Sequence, residues 1–175
     1  MTDAMTKTHV PKAPMIIGWR ERIALPELGL AEVHAKIDTG ARTTALHATH
    51  ITPFDRDGVP WVRFHIPHAH GVYAHDCEAP LIDRRAVRNT SGVPEDRFII
   101  RTLLVLARRR WHIQVSLTDR SEMTLPIILG RTAIRRRRIL VDAGKSFLTG
   151  HPNTRSLKRS TSKSSSAGAG KKGTS

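Results

Sequence analysis

Apolar and polar residues alternate along most of the first 150 positions, and this period of two predicts strands rather than helices. Short strands are expected at 15–19 and 22–25, with 26–30 turning into a strand over 33–37. A return run follows at 46–51, and Phe54-Asp55-Arg56-Asp57-Gly58 is a strong turn signal. The next run, 61–66, alternates most clearly: Val62, Phe64 and Ile66 share one face, and Trp61, Arg63 and His65 share the other. Further strands are expected over 73–82 and 98–106, and where Trp111, Ile113, Val115 and Leu117 alternate with polar partners. The turn-rich stretch 89–96 reads as a loop able to act as a flap over a cleft. A single short helix is expected after Gly130, from Thr132-Ala133-Ile134 and the four arginines at 135–138. Together these describe an all-β protein, a small barrel whose antiparallel sheet buries one face.

Length and composition set limits on this reading. With 175 residues, 39% of them hydrophobic, the chain suits one domain with one core. The expected organisation is a loose N-terminus over 1–14, a folded domain over 15–150 and a disordered basic tail over 151–175. That tail is rich in Ser, Gly and Lys and has almost no large apolar side chains to offset the entropy of ordering. No run of eighteen apolar residues and no charged-then-apolar leader is seen, so no membrane association is expected. One cysteine cannot form an intrachain disulfide and suits the cytoplasm.

Candidate chemistry begins at Asp38-Thr39-Gly40-Ala41, which ends the apolar-alternating run before it. A carboxylate that activates water needs a rigid, exposed turn. Gly40 can take backbone angles closed to other residues, and the Thr39 hydroxyl can brace the turn from beneath. A strand ending in Asp-Thr-Gly is how pepsin-like and retroviral aspartic peptidases present their catalytic carboxylate. About ninety residues later comes Ile127-Ile128-Leu129-Gly130-Arg131, similar to the apolar-apolar-Gly segment that runs beside the catalytic strand in those enzymes.

With both parts in place, the chain resembles the bacterial retropepsin-like peptidases long labelled ATP-dependent zinc proteases, which are often encoded beside an ATP-grasp ligase that glutamylates a ribosomal protein. The resemblance runs from about residue 16 to 150. It is carried by Ile17-Gly18-Trp19-Arg20-Glu21, Leu25-Pro26-Glu27-Leu28-Gly29, Ala35-Lys36-Ile37-Asp38-Thr39-Gly40-Ala41-Arg42-Thr43, Leu117-Thr118-Asp119-Arg120-Ser121-Glu122-Met123 and Val141-Asp142-Ala143-Gly144. It implies a single-lobe, closed retropepsin-like barrel and an aspartic endopeptidase. Asp38, Thr39 and Gly40 are then expected in the catalytic turn, with Ala41, Arg42, Ile128, Leu129, Gly130 and Arg131 around the substrate. Arg42 either shares a carboxylate with the surroundings of Arg131 or faces solvent. Thr44 stands where serine is expected and keeps the hydroxyl, and His47 reads as structural.

The label itself finds little support in the residues. No His-Glu-x-x-His occurs. His65, His68, His70 and His75, with Asp76 and Cys77, offer an alternative zinc-dependent peptidase site, although a polar loop of solvated or hydrogen-bonded histidines is the better account of them. Gly144-Lys145-Ser146 lacks the earlier glycine of a phosphate-binding loop, because position 139 is Ile. No cofactor or metal is therefore expected, and no serine or thiol nucleophile signature is present.

An aspartic mechanism needs two carboxylates sharing a proton, and this chain has one Asp-Thr-Gly. A C2 homodimer that brings two Asp38 residues together meets the need. Asp142, in the echo Asp142-Ala143-Gly144, is a rival partner within one chain and is better suited to capping a turn.

The net charge of +14 divides unevenly: six Lys/Arg and no acid lie from His151 onward, leaving +8 on the first 150 residues. Arginines cluster at 84–85, 108–110 and 135–138, which suits attraction of acidic or glutamate-extended peptides. The expected partners are a peptide or protein substrate, a second copy, and the glutamate ligase or ribosome. A non-catalytic partner of that ligase is the remaining alternative.

Overall fold

The computed structural model describes residues 13–69, 72–88, 94–119 and 124–154. Most of the expected loose N-terminus, the tip of the 89–96 loop, His70, residues 120–123 and the basic tail from 155 lie outside the described residues. Ten strands carry the fold: β1 (Met15–Leu25), β2 (Leu30–Asp38), β3 (Thr44–His47), β4 (Thr49–Arg56), β5 (Val59–Ile66), β6 (His75–Arg88), β7 (Pro94–Leu106), β8 (Arg109–Thr118), β9 (Ile127–Gly130) and β10 (Ile139–Ser146). A 3-10 turn, Pro26–Leu28, joins β1 to β2, and one short helix, α1 (Arg131–Ile134), follows β9.

Six of the strands close into a barrel in the order β1-β2-β9-β3-β8-β7, and β7 returns to β1 through Ile23↔Leu106 and Ala24↔Val105. β10 extends one side of the ring, and the meander β6-β5-β4 extends the other. The all-β class, the closed barrel and the single short helix after Gly130 are thus as expected.

Alternation explains why these segments pair. Along β5, Val62, Phe64 and Ile66 are buried, and Phe64 and Val62 lie opposite Cys77 and Ala79 of β6. Along β8, Trp111, Ile113, Val115 and Leu117 all enter the core. Each large apolar side chain removed from water in this way contributes about 1.5–3 kcal/mol. Asp57 and Gly58 both have positive φ, 53° and 78°, the geometry of a two-residue hairpin turn whose twist matches the flanking strands.

Three expectations need correction. The sheet is mixed, with parallel pairs β1–β10, β2–β9 and β3–β8; side-chain alternation is the same in parallel and antiparallel strands, so the pattern does not distinguish them. Residues 15–25 form one continuous strand rather than two. Its polar middle is accommodated because Glu21, fully buried, accepts hydrogen bonds from the backbone N–H of Gly18 (2.6 Å), Leu148 (2.9 Å) and Thr149 (3.3 Å) and from the Thr149 hydroxyl (2.8 Å). That carboxylate fastens the segment after β10 to β1. Finally, the four arginines do not extend the helix. It stops at Ile134, and Arg136 and Arg138 take left-handed backbone angles, φ 61° and 52°.

His75 ties the start of β6 to the 3-10 turn. Its Nε2 faces the Leu28 carbonyl at 2.9 Å and its Nδ1 faces the Tyr73 carbonyl at 2.8 Å. A neutral imidazole can donate to only one of them, so both are satisfied only by the charged ring. The Leu28 carbonyl, then that of Tyr73, raises the pKa of His75 above its ordinary value, with Asp76 adding to the effect against a smaller cost of burial. A group with a raised folded pKa stabilises fully below its unfolded value of about 6.5, and that stabilisation is lost as pH rises through the folded value. We therefore expect the difference in melting temperature between wild type and His75→Ala to be largest in acid and to shrink as the pH is raised from about 5.5 to about 8.5. A gap that stays constant over that range would mean that the ring acts only by packing.

Candidate functional site

β2 delivers Asp38 to the rim of the barrel. Apolar Val33, Ala35 and Ile37 point inward, so Lys36 and Asp38 point out. The chain then turns sharply: Asp38 Oδ1 accepts the backbone N–H groups of Gly40 and Ala41, both at 3.0 Å. Such an Asx turn fixes one carboxylate oxygen. No described group is hydrogen-bonded to Oδ2, and the residue is half-buried.

What holds the turn comes from the far end of the sequence. β9 pairs in parallel with β2 and sets Gly130 beside Asp38. The backbone of Thr43 crosses directly over Gly130, where a Cβ would stand 2.5 Å from the Thr43 carbonyl carbon and 2.6 Å from its oxygen. Only glycine permits that approach. The buried Thr44 hydroxyl accepts the Gly130 N–H at 3.2 Å. Three successive loop carbonyls are then engaged by the start of α1. The Arg131 guanidinium donates to Gly40 (2.8 Å), the Arg131 N–H to Ala41 (2.9 Å), and the Thr132 N–H and hydroxyl to Arg42 (3.1 and 2.7 Å).

The structure thus brings Asp38, Gly40, Ala41, Gly130 and Arg131 together. Ile128 lies on the outward face opposite Lys36, Leu129 is fully buried in the core, and Thr39 is exposed. The bracing hydroxyls belong to Thr44 and Thr132 rather than to Thr39. Their positions, four residues after Gly40 and two after Gly130, gave no local sign of that role.

Two hollows lie on either side of Asp38 in the sequence. One, of about 370 Å³, is lined by Trp19, Arg20, Lys36, Thr124, Leu125 and Ile128. Lys36 shares the outward face of Asp38, two residues away. The other, of about 530 Å³, begins at Arg42 and Thr43 and is bounded by α1, the arginine turn and the outer surface of β8. Arg42 therefore lines a basic hollow, while Arg131 turns to the loop carbonyl of Gly40.

The described histidines of the run do not converge on one point. His65 Nδ1 pairs with Asp76 at 2.8 Å, His68 meets the Tyr73 ring edge-on, and both ring nitrogens of His75 face carbonyls. Cys77 is buried with its thiol directed to the Leu28 carbonyl, and burial pushes its pKa up to about 11, with Asp76 adding to the rise. It is a poor source of thiolate for a metal or for nucleophilic attack. Among the described residues, no three His, Cys, Asp or Glu side chains are grouped to hold a metal ion. Asp142 forms an Asx turn like that of Asp38, with Oδ1 accepting the Gly144 N–H at 2.9 Å, but its Oδ2 is engaged by Lys145 at 3.4 Å. Its strand, β10, is separated from β2 by β1. No helix among the described residues is long and apolar enough to cross a membrane.

Comparison with known proteins converges on one family. The model of the RimB-like family, described as the retropepsin-like aspartic endopeptidase RimB, matches residues 16–152. A probable alpha-L-glutamate ligase of Shewanella halifaxensis is 38% identical over 141 residues, covering 79% of this chain and 30% of that protein. One of Parasynechococcus marenigrum is 40% identical over 139 residues, covering 78% and 29%. The chain thus spans less than a third of the length of these curated relatives. Among solved structures, the Legionella pneumophila protein Lpg0085, of unknown function, superposes with a TM-score of 0.66 at 29% identity, covering 77% of this chain and 98% of that one.

The crossing at Gly130 makes a direct prediction. Gly130→Ala must push the Thr43 backbone away, and overpacking of this kind costs about 1–3 kcal/mol. Thr44→Val removes the acceptor of a buried N–H and is expected to cost a similar amount, about 1–3 kcal/mol, whereas Thr44→Ser keeps it. Denaturant unfolding of the three variants tests this, and a Gly130→Ala protein as stable as wild type would contradict the close packing described.

Proposed function

Because the chain belongs to the RimB-like family of retropepsin-like aspartic endopeptidases, we propose that it hydrolyses peptide bonds with a water activated by Asp38. The observation that carries this reading is the state of that carboxylate. Oδ1 is held by two backbone N–H groups at 3.0 Å, and Oδ2 is left for substrate and water. Thr39 and Gly40 complete the turn, Ala41 leaves room for a substrate backbone, and Arg131 with Gly130 keeps the turn in place.

Two such carboxylates are needed. In the proposed mechanism Asp38 of one subunit takes a proton from water as the oxygen attacks the scissile carbonyl, while the protonated Asp38 of the second subunit donates to the carbonyl oxygen. Proton transfer to the amide nitrogen then lets the C–N bond break and regenerates the pair. We place the second copy by symmetry, across a two-fold axis near the rim. Support comes from the chain's single Asp-Thr-Gly turn and from a pair of exposed apolar neighbours, Ile16 and Leu140 (54% and 56% exposed), which lie side by side at the β10 end of the sheet. Such a pair on an open edge is an unusual surface for a monomer.

The names of the curated relatives support a partnership. Each is called a probable alpha-L-glutamate ligase and carries a segment similar to this chain within a longer one. We propose that this protein works with such a ligase in the cytoplasm, cutting acidic or glutamate-extended products, without a metal or cofactor. The same names favour a second reading, in which the domain regulates the ligase without cutting.

The experiment is cleavage of a mixed peptide library containing glutamate-extended members, with and without EDTA, by wild type and Asp38→Asn. The mutation is expected to lower the rate at least about hundredfold, as loss of a general base does, with EDTA making no difference. Dilution should lower specific activity as the dimer dissociates. Activity that survives in Asp38→Asn and disappears with EDTA would transfer the chemistry to a metal. Ligase binding by a wild type that cuts nothing would support the regulatory reading.

A further inference from the structure

The basic hollow beside the Asp38 turn is a site in its own right. Its lining includes Arg42, Arg85, His112, Arg135, Arg136 and Arg137, and no carboxylate. Arg85 is paired with Asp83, but no carboxylate among the described residues lies within ion-pair distance of Arg42, Arg135, Arg136 or Arg137. Four uncompensated guanidinium groups around one concavity repel one another and concentrate positive potential. Among the described residues, Asp83 and Glu27 pair with Arg85 and His112 of the lining, and no carboxylate pairs with the other four guanidinium groups, so the hollow favours occupation by an anion.

The arginine turn is also built rather than loose. The Trp111 indole N–H donates to the Ala133 carbonyl at 2.8 Å, and the Arg109 guanidinium donates to the Arg137 carbonyl at 2.6 Å. The Arg137 guanidinium lies 5.4 Å from the centre of the Trp111 ring. The helix ends where Arg135 turns extended (φ −58°, ψ 149°), left-handed φ follows at Arg136 and Arg138, and the result is division of labour: Arg135, Arg136 and Arg137 line this hollow, whereas Arg138 lines a different one. Non-glycine residues pay about 1–2 kcal/mol each for that backbone angle, a cost that serves no packing purpose visible at Arg136, an exposed side chain.

We propose that this hollow is an anchoring site for acidic peptide chains, binding carboxylate side chains of a substrate at a distance from the bond presented to Asp38. The inference rests on the peptidase reading for its purpose, not for its chemistry. Charge-assisted hydrogen bonds from cationic side chains to carboxylates are stronger than neutral ones, and the concentrated positive charge of the hollow supplies the attraction. A volume of about 530 Å³ suits a few residues of extended peptide. Nucleic acid fits less well, since stacking needs an open aromatic face and the one aromatic ring in the lining besides His112, that of Trp111, is only 7% exposed. The spacing also fits. Arg42 follows Asp38 by four residues, so their Cα atoms are at most about 15 Å apart. An extended peptide rising about 3.3 Å per residue covers that distance in at most about four to five residues. The anchor would thus recognise acidic residues several positions from the cut, which a peptide of uniform acidity always supplies.

The test reads binding without turnover. Fluorescein-labelled hexaglutamate is titrated into the full chain at about 0.15 M salt, followed by anisotropy, for wild type, Arg135→Gln/Arg136→Gln and Arg135→Lys/Arg136→Lys. Melting curves check that each variant is folded. The Gln pair is expected to weaken binding at least about tenfold, and the Lys pair to restore most of it. Equal binding by wild type and the Gln pair would overturn the proposal and assign the affinity to another basic surface, the tail included. So would loss in both variants, since charge would then not be the cause. Tighter capture of a single-stranded oligonucleotide than of hexaglutamate, sensitive to the same substitutions, would overturn it in favour of nucleic acid. A wild type that binds hexaglutamate through these arginines but cuts no peptide would sink the peptidase reading and uphold the anchor.

Discussion

Everything at the candidate site depends on one backbone crossing, where residues 43–44 pass over Gly130. The missing Cβ lets the Thr43 carbonyl come closer than any side chain would allow. That approach carries the Thr44 hydroxyl onto the Gly130 N–H and puts the loop carbonyls of residues 40–42 within reach of Arg131 and Thr132. With its carbonyls engaged on one side, the loop has its N–H groups directed to the Asp38 carboxylate on the other. A charged group near the rim is thereby held by peptide dipoles rather than by a neighbouring cation, which leaves one oxygen available for chemistry.

In the proposed function the two hollows divide the work around that carboxylate. The smaller one mixes Trp19, Leu125 and Ile128 with the long side chains of Arg20 and Lys36 and suits an apolar peptide side chain. The larger one is dominated by guanidinium groups held on a braced turn. Placing the repulsive arginines beyond the loop, rather than against Asp38, keeps the strong positive potential from fixing that carboxylate in an ion pair. Under the proposed reading the site is then both electrostatically attractive to acidic chains and chemically unencumbered.

A buried carboxyl group stabilises the β1–β10 edge of the sheet. Glu21 accepts four hydrogen bonds in the core, and three of them come from the segment after β10. Satisfied in this way, a carboxylate is tolerated where an apolar residue would be the simpler choice. It joins the end of the described chain to β1, the strand that closes the barrel with β7, so the outermost strand and the barrel seam are held through one residue.

Much of this was legible from neighbouring residues alone. Alternation at 61–66 and along β8 marked buried faces, Asp57-Gly58 marked a hairpin, and Asp38-Thr39-Gly40 marked a turn that presents a carboxylate. Each is set by contacts within a few residues, where period and turn chemistry act directly. The tertiary structure decided the rest: that β2 and β9 run parallel, that Thr44 and Arg131 brace the turn in place of Thr39, that Glu21 is an interior ligand for backbone N–H groups, and that the described histidines of the run scatter while arginines from three separate stretches meet. Those outcomes depend on which distant backbones approach within hydrogen-bonding distance, and a sequence read locally carries the capacity for such contacts without naming the partner.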